Sequence, residues 1–185
     1  MLKPDWDKML AFGQPLGAIM QEAYIVPDIA EAIKHFSSTL GAGPFFTAES
    51  FPLIDATYRG QACNATLALA IGFSGNFCYE LIQLKDQEPS PWREVLDKKG
   101  YGYHHRAITT DDFDGAMEYY RNAGYEIALH TKVVFGSRAA YIDTGAVNYG
   151  MIELIEMNDA VEDFFGNMKK AAEDWDGKDP VRRIG

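Results

Sequence analysis

The sequence is poor in cysteine and in long apolar runs, and each shortage excludes a class of protein. Cys63 and Cys78 are the only cysteines, too few for a disulfide framework and without the paired spacing of a thiolate metal site. We expect both to be reduced and buried. No run approaches the roughly 18 apolar residues of a membrane span, and residues 1–14 lack the apolar core of a secretion signal. These shortages predict a cytoplasmic protein with no membrane partner.

Positive charge is also scarce. The 185 residues include 17 Lys and Arg against 27 Asp and Glu, which gives a formal net charge of −10. Because proteins that bind nucleic acid present basic surfaces, we expect no nucleic-acid partner. Apolar residues make up 47% of the chain, enough for a packed core in one domain or in two small halves.

The most informative feature that is present is an internal repeat. A β-rich stretch begins at Gln21 and again at His105, and an Asp follows each start seven residues later (28 − 21 and 112 − 105). Asp28 and Asp112 are good N-caps, and each opens a segment with the spacing of an amphipathic helix. The apolar positions are Ile29, Ile33, Phe36 and Leu40 in the first helix, and Phe113, Ala116, Met117, Tyr120 and Ala123 in the second.

Both copies end in similar closing strands, YELIQL at 79–84 and IELIEM at 152–157. Further strand candidates between helix and closing strand are 44–48, 64–71, 125–130 and 138–143. Each half therefore has the order β-α-β-β-β. This order predicts an α+β fold in which two tandem βαβββ modules form a paired, cleft-lining β-sheet, followed by a C-terminal helical tail.

The predicted boundaries are an N-terminal extension (1–20), the first module (21–88), a linker with a short helix (89–104), the second module (105–157) and an acidic C-terminal helix and tail (158–185). Ser90 is expected to cap the linker helix, and Asn158 or Asp159 the last helix. That last helix should pack on the body or on a second subunit, and the residues from Lys178 onward should fray. Pairing of the modules within one chain and pairing across a homodimer both remain open.

The repeat places four polar residues at equivalent positions of the predicted strands. Gln21 and His105 open the two modules, and Glu80 and Glu153 lie in the closing strands. A carboxylate in an apolar strand is costly to bury unless it is paired or bound to a metal. If the modules pair about a pseudo-twofold axis, the four side chains converge. An amide oxygen, an imidazole nitrogen and two carboxylates suit a borderline or hard divalent ion.

Several short motifs accompany this pattern: Val26-Pro27-Asp28, Leu40-Gly41 with Gly43-Pro44-Phe45, Glu80-Leu81-Ile82, His104-His105 and Ile152-Glu153-Leu154. With the repeat, they resemble the vicinal oxygen chelate superfamily. That superfamily includes glyoxalase I, methylmalonyl-CoA epimerase, extradiol dioxygenases, and fosfomycin and bleomycin resistance proteins. The resemblance spans residues 21–157 and is nearest to the glyoxalase I and methylmalonyl-CoA epimerase branches.

The resemblance implies metal ligands at four positions, namely Gln21, Glu80, His105 and Glu153. The metal is expected to be zinc, nickel, cobalt, manganese or magnesium, with iron less favoured, and no organic cofactor site is predicted. The implied function is an isomerase, epimerase or lyase that acts on a small carbonyl compound through a metal-stabilised enolate. Glu153 is the expected catalytic base, and Glu80 is the second choice.

Alternative functions remain open. One alternative is a non-catalytic small-molecule binding or resistance protein of the same fold. A ring-cleaving Fe(II) dioxygenase is a further alternative, but Gln21 counts against it because such a site needs a second His. The turn at 58–61, Tyr-Arg-Gly-Gln, lacks the carboxylate that a two-base epimerase mechanism uses. That departure puts the epimerase mechanism in doubt.

Alternative roles also remain open for the candidate residues. Gln21 could bind substrate rather than metal, and the two glutamates could be partly exposed residues paired with Arg59, Arg106 or Arg138. His104 should point away from the site, because adjacent strand residues alternate between faces. Further polar candidates for the cleft are Tyr58, Arg59, Asn64, Tyr101, His104, His130, Arg138, Tyr141 and Tyr149. An Arg there would favour a carboxylate or phosphate on the substrate.

Overall fold

A computed structural model describes residues 3–145 and 149–184 of the chain. The strands are β1 (Asp5–Met9), β2 (Pro15–Leu16), β3 (Ile19–Ile25), β4 (Phe45–Phe51), β5 (Ile54–Tyr58), β6 (Gln61–Ala62), β7 (Leu67–Ser74), β8 (Phe77–Leu84), β9 (Gly102–Thr110), β10 (Glu126–Lys132), β11 (Arg138–Asp143), β12 (Met151–Glu156) and β13 (Val181–Arg183). The helices are α1 (Ile29–Leu40), α2 (Pro91–Lys99), α3 (Phe113–Asn122) and α4 (Asp159–Glu173), with a 3-10 turn at Val134–Gly136. The outermost residues of the predicted extension and tail, 1–2 and 185, lie outside the described part.

Eleven strands form one mixed sheet in the order β13-β4-β7-β8-β3-β9-β12-β11-β10-β5-β6. Strands β3, β4, β7 and β8 with α1 form one βαβββ module, and β9 to β12 with α3 form the other. The two modules meet along the antiparallel pair β3–β9. The predicted α+β fold of two paired modules is therefore confirmed, and the pairing occurs within one chain.

The two faces of the sheet have different partners. Helix α1 covers one face of the first module, where Leu81 is buried, and α3 covers the same face of the second module above Leu154. Because strand side chains alternate, Glu80 and Glu153 lie on the opposite face. That face lines a cleft, and helices α2 and α4 contribute Trp92 and Phe165 to its wall. The site therefore lies on the side of the sheet away from the repeated helices.

Side-chain caps fix where the helices begin. Asp28 accepts the N3 amide of α1 at 2.9 Å, and Asp112 accepts the amide of Gly115 at 3.0 Å. A Cβ on Gly115 would stand 2.1 Å from an Asp112 carboxylate oxygen, so a side chain there would displace the cap. Ser90 and Asn158 cap α2 and α4, as the sequence predicts.

The chain end at 181–183 is an ordered strand, so the expectation that it frays is wrong. Strand β13 pairs in parallel with β4, and the amide of Phe45 donates to the carbonyl of Pro180 at 2.8 Å. The indole of Trp175 lies against Gly43, where a Cβ would come within 2.6 Å of the ring. Trp175 also donates to the carbonyl of Lys178 at 2.6 Å. These contacts hold the end of the chain against the first module.

The acidic helix α4 packs on the body of its own chain. Val161, Phe165 and Met168 are buried in a cluster that includes residues of the N-terminal segment and of both modules. Phe165 meets Phe12 edge to face, with ring centroids 5.8 Å apart. The apolar stripe of the helix is thus used within the fold.

Two expectations about protein class can be compared with the structure. Cys63 and Cys78 are both free and buried. Within the described residues, no helix combines the length and the apolar character needed to cross a bilayer.

Candidate metal centre

Two β-bulges direct the opening residues of the modules into the cleft. The register of β3 with β9 shifts twice, and the shifts leave His104 and Met20 without a partner on the other strand. A bulge changes the direction of the side chains beside it. The residues that follow the bulges are His105 and Gln21, and each lies opposite an alanine of the other strand. The two halves thus present an imidazole and an amide in equivalent ways.

The closing strands supply the carboxylates from equivalent positions. Glu80 pairs in register with Ala23, and Glu153 pairs in register with Ala107. These alanines are the residues that face His105 and Gln21 across the β3–β9 pair. All four polar side chains are buried: Gln21, Glu80, His105 and Glu153. The structure therefore brings the whole predicted set together.

In three of the four side chains, those of Glu80, His105 and Glu153, the atoms that could bind a metal lie close to one another. His105 Nε2 lies 3.4 Å from a carboxylate oxygen of Glu80 and 3.1 Å from one of Glu153. One ligand atom from each of these residues lies within 4.8 Å of the other two. Such a group has the size and composition of a metal site built from His and carboxylates.

Gln21 differs from the expected oxygen ligand in its orientation. Its Nε2 donates to Glu80 at 3.0 Å, and its Oε1 accepts from the thiol of Cys78 at 3.4 Å. The amide therefore orients Glu80 and presents its nitrogen to the cluster. Cys78 is a neighbour that the sequence analysis missed, although its position two residues before Glu80 places it on the same face of the strand.

Burial dominates the electrostatics of the cluster. Burial, with the Glu153 carboxylate nearby, raises the pKa of Glu80 well above its usual range. The pKa of Tyr141 is also raised well above its usual range, first by burial and then by Glu153 and Glu80. Two acidic side chains and a phenol thus lie close together where water is scarce.

The alternative in which arginines neutralise these glutamates is wrong. Arg59 forms ion pairs with Glu94, Glu126 and Asp143. Arg138 pairs with Asp114 and Glu156. The guanidinium of Arg106 lies 3.8 Å from the carboxylate of Glu22. Within 3–145 and 149–184, no arginine forms an ion pair with Glu80 or Glu153. The carboxylates face each other and His105 instead, since the strands that carry them are central in the sheet.

His104 lies beside His105, contrary to the expected alternation. Its Nδ1 is 2.8 Å from Nδ1 of His105, and its Nε2 is 3.3 Å from the carbonyl of Pro91. The bulge is the physical reason, because an extra residue interrupts the alternation of side chains. Gly150 accommodates this arrangement: a Cβ there would lie 2.5 Å from the carbonyl oxygen of His104.

The hydrogen-bond partners assign the tautomers of the two rings. Pro91 offers only an acceptor, so Nε2 of His104 carries the hydrogen. Burial lowers the pKa of His104 well below its usual range, so the ring is neutral and its Nδ1 accepts from His105. With its hydrogen on Nδ1, a neutral His105 ring would present a bare lone pair at Nε2, and that atom is buried without a hydrogen-bond partner in the described chain.

This geometry fits a divalent cation. A lone pair and two carboxylates converge in a buried site, which is electrostatically unfavourable unless positive charge or protons lie between them. Imidazole nitrogen and carboxylate oxygens are ligands that zinc and other divalent ions accept. Glu80, His105 and Glu153 thus form a possible metal site.

A cavity of about 80 Å³ adjoins the carboxylates. Among the nine polar residues expected to line the cleft, Tyr141 lines this cavity, and it meets His105 edge to face at 4.9 Å. Tyr101 and Tyr149 are exposed, and Arg59 lies in an ion cluster. Trp92 of α2 lines the cavity too, a residue that the sequence analysis did not single out.

Comparison with known proteins identifies the fold family. A family model described as the glyoxalase/bleomycin resistance protein/dioxygenase superfamily matches residues 20–141. The chain belongs to this superfamily. The match confirms the resemblance to vicinal oxygen chelate proteins, and it covers the bulged strands β3 and β9 and the first carboxylate strand, β8.

Solved structures give the same result at low identity. A hypothetical protein from Bacillus halodurans C-125 has a TM-score of 0.57 and 15% identity over 77% of this chain and 95% of its own. Methylmalonyl-CoA epimerase from Mycobacterium tuberculosis has a TM-score of 0.55 and 20% identity over 79% and 91%. A methylmalonyl-CoA epimerase in complex with methylmalonyl-CoA and NH4+ has a TM-score of 0.51 and 19% identity over 78% and 96%. These likenesses show the superfamily fold alone. No curated protein matches the sequence significantly.

Proposed function

We propose that this superfamily member is a divalent-metal-dependent isomerase, epimerase or lyase acting on a small carbonyl compound. The observation that carries the proposal is the buried cluster of Glu80, His105 and Glu153, whose ligand atoms lie within 4.8 Å of one another. Removal of a proton beside a carbonyl is the reaction that suits a buried carboxylate next to a Lewis acid.

Three residues would hold the metal, namely His105 through Nε2 and the two glutamates through carboxylate oxygens. Zinc, nickel, cobalt, manganese or magnesium would suit this set of nitrogen and oxygen ligands. Bound there, the ion would supply a Lewis acid that stabilises negative charge on a substrate oxygen. Gln21 would act as a fourth ligand after rotation of its amide, or it would continue to orient Glu80.

Glu153 is the proposed base. Glu80 is tied to the amide of Gln21 at 3.0 Å, whereas Glu153 lies opposite Tyr141 on β11 and helps to raise the pKa of its phenol. Both Glu153 and Tyr141 line the cavity. A phenol that donates to the carboxylate would hold it toward a substrate, and the apolar walls would keep competing water away from the reacting carbon.

The first experiment is elemental analysis of the purified protein. We expect about one divalent ion per chain, and a severe loss of metal in His105→Ala because one of the few ligands is removed. His35→Ala, on the exposed surface of α1, is the matched control and should keep its metal. Equal metal content in both variants would reject the site.

A second experiment concerns the base. Glu153→Gln should retain part of the metal, because an amide oxygen can still coordinate. It should lose solvent deuterium exchange at the carbon next to a substrate carbonyl, because an amide cannot accept the proton. Full exchange by this variant would move the base to Glu80 or elsewhere.

A non-catalytic binding protein is the second candidate, and the predominantly apolar cavity wall favours it. A metal-free preparation that binds a ligand with unchanged affinity, and a metal-loaded one that exchanges no deuterium, would support this alternative.

The dioxygenase alternative has weaker support in the geometry. Its iron site needs two His ligands, but His104 directs one nitrogen to His105 and the other to the carbonyl of Pro91. Oxygen consumption with a catechol and iron would reverse this preference.

A further inference from the structure

The wall of the cavity beside the carboxylates is apolar nearly throughout. Both modules, the linker helix and α4 contribute to it. The apolar lining includes Leu69, Trp92, Val134, Phe135, Phe164 and Phe165. The polar lining residues are Gln21, Glu80, Thr131, Tyr141 and Glu153. Four of these five polar residues form or adjoin the carboxylate cluster, the hydroxyl of Thr131 donates to backbone carbonyls, and the remaining surface favours hydrocarbon.

Positive charge is missing from this wall. Within the described chain, none of the residues lining the cavity is Lys or Arg. Arg59 and Arg138 are engaged by carboxylates elsewhere. A divalent ion at the cluster would balance the two glutamates and leave no surplus charge for an anionic ligand. A carboxylate or phosphate buried here would lose its hydration without gaining a partner.

Aromatic side chains narrow the rim. Phe135 from the 3-10 turn lies 5.2 Å from Phe164 of α4, measured between ring centroids. The amide of Asn158 donates to the carbonyl of Phe135 at 3.0 Å and so ties the turn to the start of the helix. Phe135 has a φ of 71°, an uncommon conformation for a bulky residue. The rim is therefore held in place by both packing and a hydrogen bond.

We propose that the ligand of this cavity is a small, uncharged carbonyl compound with an apolar or aromatic substituent. The carbonyl part rests on the proposed function, because it assumes a metal at the carboxylate end. The substituent lies along the apolar wall beneath Phe135 and Phe164. A compound that buries a carboxylate or a phosphate in this cavity is disfavoured, because none of the described lining residues is cationic.

The test is a comparison of three probes, measured by ligand-detected NMR with metal-free and zinc-loaded protein. Acetophenone is the neutral probe, 4-acetylbenzoate adds one carboxylate to the same ring, and acetyl-CoA adds phosphates. We expect acetophenone to bind at least about ten-fold more tightly than 4-acetylbenzoate in both preparations, and acetyl-CoA not to compete with it.

A pair of variants gives the matched control. Val134→Arg would place a guanidinium at the partly exposed rim. It should strengthen the binding of 4-acetylbenzoate and so reduce the difference in affinity between acetophenone and 4-acetylbenzoate. Val181→Arg makes the same change on exposed strand β13 and should leave this difference in affinity unchanged. If the difference in affinity between the two ketones is the same in both variants, the inference that this cavity selects uncharged ligands is overturned.

The outcomes separate this proposal from the proposed function. Tighter binding of 4-acetylbenzoate or acetyl-CoA by the unaltered protein, or no binding of acetophenone, would overturn the ligand class. Selective binding of acetophenone by a protein that takes up no metal would overturn the proposed function and leave the ligand class supported.

Discussion

At the residue scale, the candidate site depends on a contact between two adjacent histidines. His105 lies at the carboxylate cluster, and His104 touches both His105 and the linker through the carbonyl of Pro91. The ring of His104 also stacks on Trp92 with centroids 6.2 Å apart. His104 is thus a positioning residue, because it acts on the site by fixing the orientation and tautomer of its neighbour.

Replacing His104 should change metal affinity according to hydrogen-bonding ability. We expect His104→Leu to weaken zinc binding by about 10–100-fold, the usual effect of losing such a partner. His104→Gln should retain most of the affinity, since its amide can accept from His105 and donate to Pro91. Competition titration with a chelating dye measures the affinities.

The ¹⁵N chemical shifts of the His105 ring in the metal-free protein report its tautomer, which a change in packing alone would not alter. They should report a hydrogen on Nδ1 in the unaltered protein and in His104→Gln, and a mixture of tautomers in His104→Leu. Identical shifts and affinities in all three proteins would show that His104 only fills space.

At the element scale, the repeated elements and the capped helices α2 and α4 were predictable, whereas short strands between them were not. Periodicity and caps predicted α1, α3 and the strands that carry the site, because each has a clear apolar face. Strands β5 and β6 were missed. Asp55 and Arg59 have positive φ values, and the pattern between them is short and largely exposed. Strand β5 exists because β10 of the other module pairs with it, a contact that local sequence does not encode.

The candidate site shows the same limit. Repetition predicted which four polar residues meet, but not that Gln21 turns its nitrogen toward Glu80. Strict alternation also placed the side chain of His104 on the wrong face of its strand. The bulge that changes this depends on pairing with a strand distant in sequence. The apolar face of α4 was visible in the sequence, whereas its place over the cavity depends on packing against both modules.

Helix α4 also provides a test at this scale, because Asn158 has two separable roles. Its side chain caps the helix by accepting from Val161 at 2.9 Å, and it donates to the carbonyl of Phe135 at 3.0 Å. Asn158→Ala should lower the free energy of unfolding by about 1 kcal/mol through loss of the cap. Asn158→Asp keeps the cap and should recover most of that stability.

Urea unfolding measures both effects, and amide hydrogen exchange reports on the rim. Faster exchange in the 3-10 turn is expected in both variants, because neither can donate to Phe135. If Asn158→Asp is as unstable as Asn158→Ala, the donated bond rather than the cap holds the helix.

At the scale of the whole molecule, the modules are joined by more than the β3–β9 pair. The turn after β5 brings Arg59 of the first module to Glu126 and Asp143 of the second and to Glu94 of the linker helix. Burial of Glu94 raises its pKa, but hydrogen bonds from Lys98, Tyr58 and Arg59 outweigh burial and lower it to about 2. This cluster fastens the two halves to the segment between them.

Removing Arg59 should therefore weaken the association of the halves. We expect Arg59→Gln to lower the free energy of unfolding by about 1–3 kcal/mol at pH 7, since a partly buried network loses its cation. The pKa of Glu94 is lower in the folded protein than in the unfolded chain. The ionised Glu94 therefore stabilises the fold fully above pH of about 4.5, and this stabilisation is lost as pH falls toward 2.

Denaturant titrations at several pH values check this expectation. The difference between the unaltered protein and Arg59→Gln should be largest above pH of about 5 and shrink on acidification. Lys132→Gln, which removes an exposed pair with Asp55, is the control and should change stability little at any pH. A difference that stays constant with pH would contradict the role assigned to Glu94.

The even division of the cluster between the two modules also has a consequence for protein synthesis. Gln21 and Glu80 emerge from the ribosome first, whereas His105 and Glu153 follow after the linker, and α4 comes after them. A nascent chain therefore carries no imidazole of this cluster until its second half appears, and no pair of carboxylates until β12 is made. An ion in the proposed coordination would consequently be captured only after β12 is made, and the helix that covers the cavity is made after the last carboxylate.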